Sequence, residues 1–233
     1  MRRRITAAPN ERMKLTNGAL ATRAGPWWRL ALKTVRLAGG INFRHPYDYS
    51  NACPICGCGA VPLEPLVVDL ARMGKKQIDQ TANDGHIVVA TSLAQQIEAA
   101  GLTGIRLRQV RSRRSKEADA GFRWLEVTQQ WPQMEPTSVV AVDDLCPRCH
   151  RTGYFDPGGD YGIWRYNRPP ACASDFNQTW ERLGYWRGKG WPSGQRGVGG
   201  APGIVVSERA RCLLEGCGVR VLTFVPIHFE SAG

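Results

Sequence analysis

His86-Ile87-Val88-Val89-Ala90-Thr91-Ser92-Leu93-Ala94-Gln95-Gln96-Ile97-Glu98-Ala99-Ala100-Gly101 is the stretch from which the fold can be read. Its first five residues form a β-branched run of the kind that makes a short buried strand. Thr91-Ser92 supplies a helix N-cap, Leu93, Ala94, Ile97 and Ala100 fall on one helical face, and Gly101 ends the helix. Ile105-Arg106-Leu107-Arg108 then reads as a second strand. The same order returns near the C-terminus. Gly203-Ile204-Val205-Val206-Ser207 is again a β-branched run into a cap, Ala210, Leu213, Leu214 and Cys217 mark a helix face, and Gly218 is the stop. Val221-Leu222-Thr223-Phe224-Val225-Pro226-Ile227 is the closing strand. The two stretches align without a gap, each residue 117 positions after its counterpart, which is the signature of an internal duplication.

Outward from these units stand two short motifs, Cys53-Pro54-Ile55-Cys56-Gly57 and Cys146-Pro147-Arg148-Cys149-His150, offset by 93 positions. Each puts two thiols on one tight turn, with the proline after the first Cys fixing φ. Two thiols leave a tetrahedral site half filled. Together Cys53, Cys56, Cys146 and Cys149 make a four-cysteine site of the structural zinc type, with Zn–S distances of about 2.3 Å. Other readings of the thiols exist. A thioredoxin-like redox pair needs its Cys-x-x-Cys to open a helix, whereas Cys56 runs into Gly57-Cys58-Gly59. Disulfides need an oxidising compartment, and inert thiols need no partner at all. Cys58 and His150 flank the motifs as substitute ligands or plain turn residues. Cys217 falls where the first unit has Ala100, as a small buried helix residue; Cys212 is an exposed one, and Cys172 has no counterpart.

The fold class expected is therefore α+β: two duplicated knuckle-strand-helix-strand halves, residues 41–130 and 131–233, joined around a structural zinc site. Phe122 to Val127 should be a strand paired with residues 105–110 across a charged loop, and Ile41 to Arg44 a strand before the first knuckle. Short helices are expected at Trp27 to Leu37, at Val67 to Met73 and, capped by Ser174 or Asp175, over Asp175 to Leu183. The run Gly188 to Gly203 reads as a mobile loop inside a Gly- and Trp-rich insert spanning Gly158 to Pro202.

The 233 residues carry a formal charge of +11 with 42% hydrophobic content. The charge is unevenly placed: ten Lys/Arg stand against Glu11 and Asp48 in the first 50 residues, leaving 21 against 18 elsewhere. The basicity thus belongs mostly to residues 1–40, which read as a disordered or loosely attached leader, and general polyanion binding by the rest is poorly supported. Arg23, Arg29, Lys33 and Arg36 interrupt any signal-peptide core, and no run is long enough to span a membrane, so the cytoplasm is the expected location. His-Glu-x-x-His, G-x-S-x-G and phosphate-cradling Gly-Lys-Ser/Thr patterns are absent, and a zinc held by four cysteines keeps no position open for water. No catalytic residue is therefore assigned.

With CPICG at 53–57, CPRC at 146–149 and the ending from Gly203 to Ile227, the chain resembles the double-CXXCG motif family of bacterial immunity proteins, which neutralise a cognate toxin of a polymorphic-toxin system. The resemblance covers about residues 41–233 and departs at His150, where the family has Gly. It implies a non-enzymatic cytoplasmic protein whose partner is a toxin domain. The insert, where Trp164, Tyr166, Trp180, Tyr185, Trp186 and Trp191 concentrate among arginines, reads either as the docking surface or as aromatics that fill a local core while the partner docks elsewhere. The rival reading is a zinc-ribbon nucleic-acid-binding protein using residues 106–116 and the leader.

Overall fold

The computed structural model describes residues 26–32, 47–70, 73, 77–80, 85–112, 115, 118–136, 138, 141–142, 145–155, 164–183, 201–219 and 222–229. The expected strand at Ile41 to Arg44 and the run 188–200 lie outside them, as do Tyr185, Trp186 and Trp191. In chain order the elements are β1 (Trp27–Leu32), β2 (Tyr47–Asp48), β3 (Val61–Pro62), β4 (Leu66–Val68), β5 (Ile78–Gln80), β6 (Ile87–Ala90), α1 (Thr91–Ala99), β7 (Ile105–Ser112) and β8 (Ala118–Val127). Then come β9 (Ala141–Val142), β10 (Thr152–Phe155), β11 (Arg165–Tyr166), β12 (Phe176–Leu183), β13 (Ala201–Ser207), α2 (Glu208–Gly216), β14 (Leu222–Pro226) and β15 (His228–Phe229). The class is α+β. One sheet runs β4-β7-β8-β6-β5 and the other β14-β1-β13-β12-β10-β9, with β2-β3 and β11-β15 as separate pairs.

Helix α2 starts and ends 117 positions after α1. Ser207 caps α2, its Oγ accepting from the Ala210 N–H at 3.1 Å. At α1 the cap position is Ala90, one residue before the expected Thr91-Ser92, with no side-chain cap bond. Gly101 and Gly218 end the two helices at φ 61° and 71°, a left-handed conformation that a Cβ disfavours.

The alternation of each strand sorts its side chains between two cores. Ile87 and Val89 face the helices while Val88 points the other way; Ile204 and Val206 do the same, with Val205 opposite. The helix-side core is shared, joining Leu93, Ala94 and Ile97 of α1 to Ala210 and Leu214 of α2, with Leu30, Leu125, Phe176 and Leu222 from both sheets. Leu213 and Phe224 are half-buried at its margin. Behind the first sheet Leu66, Val68, Met73, Val88, Val110 and Trp124 form a second core. Behind the other, Trp27, Trp131, Met134, Trp164, Tyr166, Val205 and Ile227 form a third.

In the first sheet β8 lies between the two strands of the strand-helix-strand unit, antiparallel to both, with Ile105 opposite Val127 as the pattern predicts. The corresponding place in the second sheet is filled by β1. It pairs antiparallel with β13 through Trp28 opposite Val206 and with β14 through Leu30 opposite Phe224. Residues 27–32 are thus a central strand, neither a helix nor part of a loose leader. Trp28 and Leu30 face the shared core, and Trp27 faces the third. Arg29 is buried with its guanidinium 4.6 Å from the Trp164 ring centroid, a cation–π contact that replaces part of its lost hydration.

Two other helix expectations are corrected. Val67 and Val68 lie in β4, parallel to β7, with a tight turn beyond them in which the Met73 N–H donates to the Leu70 carbonyl at 3.0 Å, and residues 176–183 form β12. Asp175 looks like a helix cap but bonds across the fold: it accepts from the Thr103 N–H at 3.0 Å and from the Ser207 hydroxyl at 2.7 Å, and pairs with Arg209 at 3.4 Å. No helix among the described residues is long and apolar enough to cross a membrane.

Candidate metal centre

Each Cys-Pro-x-Cys motif hangs between two short antiparallel strands. β2 and β3 bracket the first, with Tyr47 opposite Pro62 and Asp48 opposite Val61; β9 and β10 bracket the second, with Tyr154 opposite Val142. The turns are built alike. The Gly57 N–H donates to the Cys53 carbonyl at 2.8 Å, and the His150 N–H donates to the Cys146 carbonyl at 3.0 Å. Gly57 sits at φ 69° and His150 at φ 54°, so the position after the second thiol is left-handed in both. The histidine at the second position therefore adopts the same turn geometry as Gly57, at the conformational cost a side chain carries there.

The first motif is tied further by the Cys53 N–H donating to the Cys58 carbonyl at 2.8 Å. The second is anchored by Arg151, whose Nε donates to the Trp180 carbonyl at 2.9 Å and whose Nη2 reaches Gln130 Oε1 at 2.6 Å. The chain separation of 93 residues is closed at the thiols: Cys53 Sγ lies 3.8 Å from Cys146 Sγ, and Cys56 Sγ lies 3.5 Å from Cys149 Sγ. All four Sγ atoms lie within 4.8 Å of one another.

These distances select among the readings of the thiols. A disulfide needs about 2.05 Å between sulfurs, so none is formed. A tetrahedron of sulfurs at about 2.3 Å from a central ion has edges of about 3.8 Å, close to the 3.5 and 3.8 Å of the two cross-motif pairs, with all four sulfurs within 4.8 Å. The group could hold one metal ion, and four thiolates would fill its coordination. Cys56 and Cys146 are buried, Cys53 and Cys149 half-buried. Burial pushes the Cys149 thiol up to about 12, with Cys56 beside it acting in the same direction. Crowded thiols of this kind ionise when a cation compensates the charge.

Neither flanking residue belongs to that set of four. His150 is exposed, and Cys58, though only 5% exposed and packed in the thiol cluster, is outside the four. Cys172 and Cys212 are exposed. Cys217 is half-buried at the end of α2 and donates to Gln96 Oε1 at 2.6 Å. Trp164 and Tyr166, which one of the two readings put on a docking surface, are 2% and 1% exposed and belong to the third core.

Comparison with known proteins finds neither a protein family nor a curated protein that matches this chain.

Proposed function

We propose that this chain is a non-enzymatic, zinc-centred binding protein that neutralises a cognate protein toxin. The observation that carries the reading is the closed set of four cysteine sulfurs, within 4.8 Å of one another, linking turns from two parts of the chain. Four thiolates suit zinc, which has no geometric preference beyond the tetrahedron, and they exclude the bound water that zinc hydrolases use. Such a centre acts as a cross-link. Around it the two strand-helix-strand units read as copies of one ancestral unit, supported by the equal lengths of α1 and α2 and by matching inward and outward residues on β6 and β13. A rigid scaffold without chemistry of its own is what an immunity protein requires, and the paired Cys-Pro-x-Cys motifs carry the resemblance to that class.

The nucleic-acid reading has less support. Arg108, central to its basic stretch, is held by Glu64 and Glu126 and lies 4.8 Å from the Trp124 ring centroid, while Arg106 also pairs with Glu126 at 3.8 Å. Committed pairs of this kind are poorly placed to exchange for phosphates. The test is co-expression with the product of the gene immediately upstream, which the proposal requires to be toxic on its own. Survival of the cells and co-purification of the two proteins are the expected result. Death at the rate seen without this protein, or salt-dependent retention on DNA or RNA in place of a protein complex, contradicts the proposal.

A further inference from the structure

The thiol cluster contains more sulfur than a single tetrahedral ion uses. Cys58 packs with Cys53, Cys56, Cys146 and Cys149 but stands outside the set of four, and it is separated from Cys56 by Gly57 alone. Gly57 is in the left-handed conformation, and the next glycine, Gly59, has φ 93°, so the Cys56-Gly57-Cys58 segment folds back on itself. The Cys58 carbonyl closes that turn by accepting from the Cys53 N–H at 2.8 Å. We propose that Cys58 is an oxidation site: a hydroperoxide oxidises it, a Cys56–Cys58 disulfide forms, and the metal loses a ligand and leaves.

The inference rests on the zinc reading above and on this chain's own geometry. Thiolates bound to zinc share their lone pairs with the ion, whereas Cys58 has no such partner. Cys58 itself is 5% exposed, but the next residue, Gly59, lines, with Arg151, Arg182, Gln130 and Gln178, a cleft of about 200 Å³ between the first motif and the two sheets, which brings solvent to within one residue of the thiol. A hydroperoxide is small against that volume. In the first step the Cys58 sulfur forms a bond to the peroxide oxygen, the O–O bond breaks, and an alcohol or water leaves after taking the thiol proton, giving a sulfenic acid. In the second the Cys56 thiolate attacks the Cys58 sulfur, the S–O bond breaks, and hydroxide leaves. Two electrons pass from the two sulfurs to one peroxide. Three thiolates then remain, and a site with three of its four ligands binds zinc more weakly. A thiol reductant reverses the disulfide and restores the site.

The experiment treats the full chain with hydrogen peroxide and follows zinc release with a chromogenic chelator, then maps disulfides by mass spectrometry after alkylation. One zinc per chain before treatment tests the metal reading separately, because the disulfide map reads the thiol pair whether or not metal is present. The expected result is a Cys56–Cys58 disulfide, loss of zinc, and recovery of binding after reduction. Cys58→Ala should keep its zinc before treatment and release it roughly tenfold more slowly. Release from Cys58→Ala at the unmodified rate, or a first disulfide that excludes Cys58, overturns the proposal.

Discussion

Removing β1 should unfold the second sheet, although its sequence lies in a basic N-terminal region. The comparison is between a chain starting at residue 25 and one starting at residue 41. Their difference includes the whole of β1. Trp27 and Leu30 are 8% and 9% exposed, and burying each such side chain is worth about 1.5–3 kcal/mol. Together they contribute on the order of 5 kcal/mol, before counting the two ladders β1 makes with β13 and β14. A domain has only about 5–15 kcal/mol in total, so the loss takes at least a third of it. Urea unfolding followed by tryptophan fluorescence measures the difference, and hydrogen exchange locates it, with β13 and β14 expected to lose protection. Matching midpoints for the two chains would refute the placement of β1 in the sheet.

Three further outcomes follow from single contacts. His150→Gly should raise stability by about 1 kcal/mol, because it relieves a left-handed side-chain position, while Gly57→Ala should lower it comparably; thermal melts with metal present check both. Gly203→Ala should destabilise by about 2 kcal/mol or more, since a Cβ there would lie 2.0 Å from Trp164 Cη2, and a shifted tryptophan emission would report the displaced ring. The Glu208 carboxyl is held down to about 2 by its hydrogen bond from Arg211, with a second from Trp28 Nε1 at 2.6 Å. Its folded value is below its unfolded one, so its contribution is present above the unfolded value near 4.5 and is lost as pH falls toward 2. The partners are partly exposed, so the contribution is about 1 kcal/mol or less, and Glu208→Gln should flatten the stability slope in that acid window.

The parts of the fold legible in the sequence were those where side-chain period and burial agree. Ile87, Val88 and Val89 are all buried, as are Ile204, Val205 and Val206, so an unbroken β-branched run identifies each strand directly. The thiol motifs were legible because ligand spacing survives any uncertainty in the surrounding fold. β1 was hidden by Arg29, a charge whose burial depends on an aromatic ring far along the chain. β12 was hidden by buried polar residues. Asn177, Thr179 and Glu181 are at most 1% exposed; Asn177 donates to the Ser174 carbonyl, Thr179 to the Glu181 carbonyl, and one Glu181 carboxylate oxygen accepts from the Met134 N–H, so polarity stopped marking the solvent face. Asp175 had the local appearance of a cap, and only the tertiary approach of Thr103 and Ser207 gives it a different use. The oxidation proposed at Cys58 has one local signal, the close spacing Cys56-Gly57-Cys58.

X-ray absorption at the zinc edge of the purified full chain tests the metal centre most directly. Cys53, Cys56, Cys146 and Cys149 predict one zinc per chain surrounded by four sulfurs at about 2.3 Å, with no nitrogen or oxygen neighbour. A chain free of zinc, or a first shell containing nitrogen or oxygen, would contradict the account.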